Sequence, residues 1–308
     1  MSRWHLIVDV ERCEDCNNCL LACKDEHVDN SWPGYAAPQP RHAHRWIDIQ
    51  RKERGDYPLI DVAYLPVPCM QCDQAPCIEA GQGSVYKRAD GIVIIDPERA
   101  RGLTELPDSC PYGAIYWNAE EDLPQKCTLC AHLLDAGWIQ TRCVQACPTG
   151  ALRLVRLEDG EATALVEREG LEHLHPRTGT APTVYYRNLA RFQGVRVAGT
   201  VTLEQNGVVD CAKRARMTLR AADGHGAVGA AATTGAAPGA SAAKAPAETL
   251  TDAFGDYVFD GVTAGAAGVA YVVAAELAGF LPAEVAVQVE GSRTVEPIHL
   301  GPRAAREG

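Results

Sequence analysis

The sequence predicts an α+β fold in two parts, a cysteine-rich first half with short strands and helices and an antiparallel β-sandwich after it. Two observations support this prediction. Twelve of the thirteen cysteines lie between Cys13 and Cys147, whereas the rest of the chain holds only Cys211. From Gly194 onward, short runs of alternating apolar residues are bounded by Gly, Pro or Asp, which is typical of antiparallel strands in a sandwich.

Shifts in composition place the expected domain boundaries. The cysteine-rich domain is expected at residues 1–155, a charged connecting segment rich in Pro, Arg and His at 156–192, and the β-sandwich at 193–303. Within the sandwich, residues 223–249 are mostly Ala, Gly, Thr, Ser and Pro. Such a segment buries too little apolar surface to offset the entropy of ordering it, so we predict a flexible insert there.

Short strands are also predicted in the cysteine-rich half. Apolar residues cluster or alternate at 5–10, 91–96 and 114–117, and each run lies beside a group of cysteines. We expect these runs to form small strands that flank the cysteine loops.

The net charge and the hydropathy of the chain argue against nucleic acid as a partner and against a membrane span. The net charge is −11 and no run of Lys and Arg occurs, which argues against nucleic acid as a partner. Nowhere do about eighteen uncharged apolar residues follow one another, so no membrane span is expected. The first residues lack the apolar core of a signal peptide, and we therefore expect the protein in the cytoplasm. Export together with a partner that carries a signal stays open.

The cysteines themselves indicate a metal-binding function, because the cytoplasm keeps thiols reduced. They fall into the groups Cys13-x2-Cys16-x2-Cys19-x3-Cys23, Cys69-x2-Cys72-x4-Cys77, Cys110-Pro111 and Cys127-x2-Cys130-x12-Cys143-x3-Cys147-Pro148. Closely spaced cysteines ligate one cubane cluster, and a distant cysteine, often followed by proline, ligates another. Paired CxxC groups also build zinc sites, which is the alternative, but the third cysteine and the Cys-Pro pairs favour 4Fe-4S clusters.

The crossed ligation of two-cluster ferredoxins assigns the ligands. One cluster is predicted on Cys13, Cys16, Cys19 and Cys147, a second on Cys69, Cys72, Cys77 and Cys110, and a third on Cys23, Cys127, Cys130 and Cys143. Cys110 completes the second set because it is the one cysteine left in the domain. The sequence thus predicts a tandem bacterial-ferredoxin-like domain with three 4Fe-4S clusters.

This order of motifs resembles the four-cluster iron–sulfur subunits of the dimethyl sulfoxide reductase superfamily, over about residues 1–155. Those subunits have a fourth cysteine in the second motif, where this chain has Gly81. Their third motif has further cysteines where this chain has Ala100, Leu103 and Leu106. The resemblance implies that all four ligands of one cluster are missing together and that three clusters remain.

Three clusters followed by a β domain resemble more narrowly the small subunits of the pyrogallol–phloroglucinol transhydroxylase group, with its related aromatic hydroxylases and catechol dehydroxylases. Residues 251–261 read Thr-Asp-x2-Gly-x-Tyr-x-Phe-x-Gly and resemble the turn-and-strand signature of a carboxypeptidase-regulatory-like, Ig-like sandwich. The insert at 223–249 departs from that pattern. The resemblance implies an electron-transfer subunit whose large partner carries a molybdenum bis-pterin and acts on phenolic aromatics by hydroxytransfer or reductive dehydroxylation.

The chain itself shows no nucleophile elbow and no phosphate loop, so we expect no catalytic site in it. The alternative function is an iron–sulfur relay in a respiratory molybdenum reductase that is linked to a quinone-reactive membrane anchor. The missing cluster disfavours this alternative because its loss shortens the series of clusters along which electrons would pass. Lys126, directly before Cys127, could place a positive charge beside a cluster, and a solvated side chain is its other interpretation.

Overall fold

The computed structural model describes residues 2–222, 247–264 and 268–303. It divides the chain into two compact units, Met1–Arg51 with Tyr64–Leu189 and Lys52–Ala63 with Ala190–Gly308. Most of the insert predicted at 223–249 lies outside the described residues. Its last three residues belong to a strand, Ala247–Leu250, so the predicted insert extends too far at this end.

The helices and strands up to Arg187 are β1 Arg3–Asp9, α1 Asn18–His27, β2 Ile47–Arg54, β3 Asp61–Pro68, α2 Pro76–Ala80, β4 Val85–Lys87, β5 Val93–Ile95, β6 Tyr116–Asn118, β7 Leu123–Gln125, α3 Ala131–Asp135, α4 Arg142–Gln145, β8 Leu152–Leu157, α5 Asp159–Glu169 and β9 Val184–Arg187. The strands expected at 5–10, 91–96 and 114–117 correspond to β1, β5 and β6. Strands β4 and β5 form one antiparallel hairpin, and β6 and β7 form another.

Strand β1 is the centre of a three-stranded sheet in the first unit. It pairs antiparallel with β8 and parallel with β9. All its residues after Arg3 are buried, which explains why it reads as a continuous apolar run. Ile7 packs with Leu165 of α5 and with Leu171, so α5 covers one face of the sheet.

Residues 156–192, expected only to connect the two parts, instead complete this sheet. Helix α5 begins with a capping box between Glu158 and Glu161 and ends at Gly170 in the left-handed conformation, two local features that stabilise helix ends. In β9, Val184 and Tyr186 are fully buried, and the Tyr186 hydroxyl donates a hydrogen bond to the Pro66 carbonyl at 3.0 Å. The pairing of β9 with β1, distant in sequence, ties this segment to the first unit.

The second unit contains α6 Ala190–Gln193, β10 Val195–Gln205, β11 Val208–Cys211, β12 Arg216–Ala221, β13 Ala247–Leu250, β14 Asp256–Val262, β15 Val269–Glu276, β16 Ala283–Val289, β17 Arg293–Thr294 and β18 Ile298–Leu300. One sheet has the order β11-β10-β14, with β17 and β18 also paired to β10, and the other has the order β13-β12-β15-β16. Alternate residues of both sheets enter a single apolar core. The period-two pattern of the sequence therefore corresponds to one buried face on each sheet.

The hairpin tip Lys52–Ala63 belongs to the second unit because of a buried arginine. The Arg54 side chain is fully buried and forms ion pairs with Asp61 and, at 2.5 Å, with Asp260 of β14. A buried guanidinium requires such carboxylate partners. Lys52 also donates to the Phe192 carbonyl at 2.8 Å.

No helix within the described ranges is long and apolar enough to cross a bilayer.

Candidate iron–sulfur cluster sites

The set predicted on Cys13, Cys16, Cys19 and Cys147 comes together at the start of α1 and the end of α4. Cys19 lies in the first turn of α1, and Cys147 follows α4, which packs against α1. Burial, together with the charges of Cys13, Cys16 and Cys147, raises the pKa of the Cys19 thiol to about 12. Cys16 is exposed at the surface.

The set predicted on Cys23, Cys127, Cys130 and Cys143 surrounds one apolar cavity. All four cysteines line this cavity together with Leu6, Trp46 and Ile47. Burial raises the pKa of the Cys143 thiol to about 11 and that of the Cys127 thiol to about 12. Burial also raises the pKa of Cys23, and the neighbouring charges that add to it are those of Cys127, Cys130 and Cys143.

Helices α1 and α4 bring cysteines of both predicted sets to one helix contact. Cys19 and Cys23 are four residues apart in α1 and so lie on one side of that helix, whereas Cys143 lies in α4 and Cys147 follows its end. Each helix region therefore offers one thiol to each set. The packing of α1 on α4 is compatible with the predicted crossed ligation.

The set predicted on Cys69, Cys72, Cys77 and Cys110 lies between β3, α2 and a short 3-10 helix, Leu106–Ser109. Burial, together with the charges of Cys69, Cys110 and Cys77, raises the pKa of Cys72 to about 12. The Thr180 side chain forms a hydrogen bond with Cys72 that opposes the increase in its pKa. Sequence spacing did not indicate Thr180, because it lies 108 residues beyond Cys72.

The donor groups present suit 4Fe-4S clusters. All thirteen cysteines are free thiols, and N–H or O–H donors point at several sulfurs: Leu129 N lies 3.4 Å from Cys127 Sγ and Thr141 Oγ1 lies 3.1 Å from Cys143 Sγ. Hydrogen bonds to the sulfurs are one of the means by which a protein sets cluster potentials. Within the described ranges no three His, Cys, Asp or Glu side chains converge closely enough to hold a single ion. A four-iron cubane requires its thiolates to stand around a larger core.

The positions where the resemblance implies a missing ligand set are filled by apolar core. Ala100 and Leu106 are buried in a cluster with Val85 and Ile115, and Leu103 packs against it. At Gly81, an added Cβ would lie 2.4 Å from Val85 Cγ2 and 2.8 Å from the Cys77 carbonyl. The first unit has therefore closed this region by side-chain packing.

The structure also shows where two residues outside the cysteine motifs lie, Lys126 and Cys211. Lys126 is 2% exposed, so the solvated interpretation is wrong for this lysine. The thirteenth cysteine, Cys211, is partly buried at the end of β11 in the second unit and belongs to none of the three sets.

Comparisons with known proteins agree with this site. Residues 60–157 match the family model of a 4Fe-4S dicluster domain. The small subunit of pyrogallol hydroxytransferase from Pelobacter acidigallici is 42% identical over 86% of this chain and 89% of its own length. One subunit of the tetrathionate reductase from Salmonella typhimurium is 32% identical over 61% of this chain and 73% of its own. One subunit of the sulfite dehydrogenase from Allochromatium vinosum is 28% identical over 60% and 83%, respectively.

The identity to the hydroxytransferase small subunit covers most of both chains, and the matched cluster domain contains the cysteine groups from Cys69 to Cys147. The chain belongs to the iron–sulfur electron-transfer subunits of the dimethyl sulfoxide reductase superfamily.

Proposed function

We propose that this chain carries electrons in a molybdenum bis-pterin enzyme that acts on phenolic aromatics, by hydroxytransfer or reductive dehydroxylation. The observation that carries the proposal is the extent of similarity. The match to the pyrogallol hydroxytransferase small subunit covers 268 residues, more than the first unit alone contains, and therefore includes much of the second unit. The matches to the tetrathionate reductase and sulfite dehydrogenase subunits cover only 192 and 200 residues.

We further propose three 4Fe-4S clusters on the three sets of four cysteines. The packing of the thiols supports this, since Cys23, Cys127, Cys130 and Cys143 line one cavity, and the neighbouring thiol charges that act on Cys19 and on Cys72 are those of their own sets. When bound, each cluster exchanges one electron with little rearrangement. The protein supplies the buried thiols, the hydrogen-bond donors to sulfur and the exclusion of water that tune this exchange.

The proposal includes the arrangement of domains and partners. A tandem ferredoxin-like domain holds the clusters, the two sheets of the second unit form a carboxypeptidase-regulatory-like sandwich, and a large molybdenum subunit contains the catalytic site. The cytoplasm is the proposed compartment, because thirteen free thiols suit a reducing environment. The chain offers no catalytic site of its own in this proposal.

A respiratory relay is the second candidate, and the names of two relatives favour it. The similar proteins include subunits of a tetrathionate reductase and of a sulfite dehydrogenase. Their shorter matches make this candidate the less specific of the two. The large subunit that copurifies with this chain distinguishes the candidates by its substrate.

Anaerobically purified protein is expected to contain about twelve iron and about twelve acid-labile sulfide atoms per chain, because each of three cubanes holds four of each. Colorimetric iron and sulfide assays against quantitative amino-acid analysis measure this ratio. About sixteen iron atoms, or zinc in place of iron, would contradict the ligand sets.

The isolated chain is expected to leave pyrogallol and related phenols unchanged, and turnover is expected only after co-expression with its large molybdenum subunit. The assay measures phenol conversion by chromatography for the single chain, the large subunit and the complex. The complex given tetrathionate or sulfite is the control for the respiratory candidate. Conversion of a phenol by the single chain would overturn the proposal, as would a complex active only on the sulfur compounds.

A further inference from the structure

Lys126 is a buried cation held by backbone carbonyls. Its side chain is 2% exposed, and Nζ donates hydrogen bonds to the carbonyls of Val93 and, at 3.2 Å, Cys127. Within residues 2–222, 247–264 and 268–303, no Asp or Glu lies within ion-pair distance of Nζ. A buried ammonium group needs hydrogen-bond acceptors and a counter-charge; the two carbonyls supply acceptors, and the thiolates of a bound cluster would supply the negative charge.

The carbonyls that hold Nζ in place are themselves anchored. Gln71 donates from Nε2 to the Cys127 carbonyl at 3.0 Å and accepts from Val93 N at 2.8 Å. Gln71 therefore ties the start of β5 to the loop of Cys127, the same two places that Lys126 joins. A side chain held by two fixed carbonyls presents its charge at a constant position.

Members of two different cysteine sets lie within the field of this charge. Val93, whose carbonyl accepts from Nζ, packs in one apolar cluster with Cys77, and Cys110 packs against that cluster. Cys127, in the set with Cys23, directly follows Lys126, and its carbonyl accepts a hydrogen bond from Nζ at 3.2 Å. The strongest charges on Cys19, by contrast, come from its own set.

We propose that Lys126 is a positioning residue that holds a fixed positive charge between the Cys69/Cys72/Cys77/Cys110 and Cys23/Cys127/Cys130/Cys143 sites and raises the reduction potentials of both clusters relative to the third. This proposal rests on the ligand sets proposed above. Reduction adds one negative charge to a cluster, and a nearby cation in a water-poor interior stabilises that charge. The protein thereby favours electrons on these two centres.

The test is an EPR-monitored redox titration of the full chain, purified anaerobically, for wild type, Lys126→Met, Lys126→Gln and Lys126→Arg. Both neutral variants are expected to lower the potentials of two clusters by about 59 mV or more, which corresponds to a tenfold change in each one-electron reduction equilibrium. The third cluster and the Arg variant are expected to stay close to wild type. The exposed Lys213 of the second unit supplies the matched control, Lys213→Met, with no expected shift.

Iron per chain is measured for every variant before titration. Neutral variants with full iron and three unchanged potentials, or three potentials shifted equally, would overturn the proposal. Loss of iron from both Lys126→Met and Lys126→Gln would also overturn it, because Lys126 would then be needed to assemble the sites. A wild-type protein without three four-iron clusters would instead refute the proposed function, and this is seen before any variant is compared.

Discussion

Replacing Cys110 by alanine is expected to remove one complete cluster and to leave two. Iron should fall from about twelve to about eight atoms per chain, since a four-iron cubane needs all four thiolates for stable ligation. The reason lies in the grouping of the thiols: Cys69 is the thiol whose charge acts most on Cys110, and backbone N–H groups of Ala114 and Tyr112 are directed at the Cys110 sulfur. Alanine is preferred to serine because a hydroxyl can replace a thiolate.

The thirteenth cysteine provides the matched control for this variant. Cys211→Ala removes a partly buried thiol from the second unit, and its iron content and EPR spectrum are expected to equal those of the wild type. Iron and sulfide assays together with EPR of the reduced protein measure both variants. Disappearance of two cluster signals in Cys110→Ala, or loss of iron in Cys211→Ala, would show that the second ligand set is misassigned.

Restoring the four missing cysteines is expected to destabilise the protein without adding a cluster. The variant Gly81→Cys/Ala100→Cys/Leu103→Cys/Leu106→Cys returns thiols to the positions where four-cluster subunits carry them. Leu106 is 2% exposed within an apolar cluster, and shortening a buried leucine to alanine costs about 2–5 kcal/mol. The destabilisation caused by cysteine at this position is expected near the lower end of that range. At Gly81, a Cβ would come within 2.8 Å of the Cys77 carbonyl, which forces the backbone beside a cluster ligand to move.

Iron per chain and the denaturant midpoint of unfolding measure this effect. We expect about twelve iron atoms or fewer and a clearly lower midpoint. The single variant Gly81→Ala isolates the steric contribution, because it adds the Cβ but no thiol, and it is expected to lower the midpoint on its own. About sixteen iron atoms at an unchanged midpoint would mean that the fourth site still exists and that only its ligands have been lost.

The cluster chemistry and the family could be predicted from the sequence because the spacing of the cysteines along the chain indicates both. Cysteines separated by only two or three residues direct their thiols at one cluster. The 42% identity to the hydroxytransferase small subunit confirms the family resemblance. The assignment of Cys23 to the loop of Cys127 stays a prediction. It relied on the crossed rule, and the structure brings the thiols of each set close together.

Other features could not be predicted because their signals are distant in sequence. Helix α5 and strand β9 fall in a segment whose Pro, Arg and His content predicts a simple connection, yet β9 pairs with β1 at the other end of the unit. The tip Lys52–Ala63 gave no sign that it groups with residues after 190, because its anchor, the Arg54 pair with Asp260, spans 206 residues.

By itself, the sequence determined that this is an iron–sulfur protein, how its cysteines group into local motifs, and that alternating strands follow the cysteine-rich half. These properties depend on neighbours within a few residues, where covalent geometry restricts the chain. Only the tertiary structure decided that Lys126 is buried against the carbonyls of Val93 and Cys127 and that Ala100, Leu103 and Leu106 pack in an apolar cluster. Burial and charge proximity depend on which distant segments pack together, and spacing along one chain does not specify that packing.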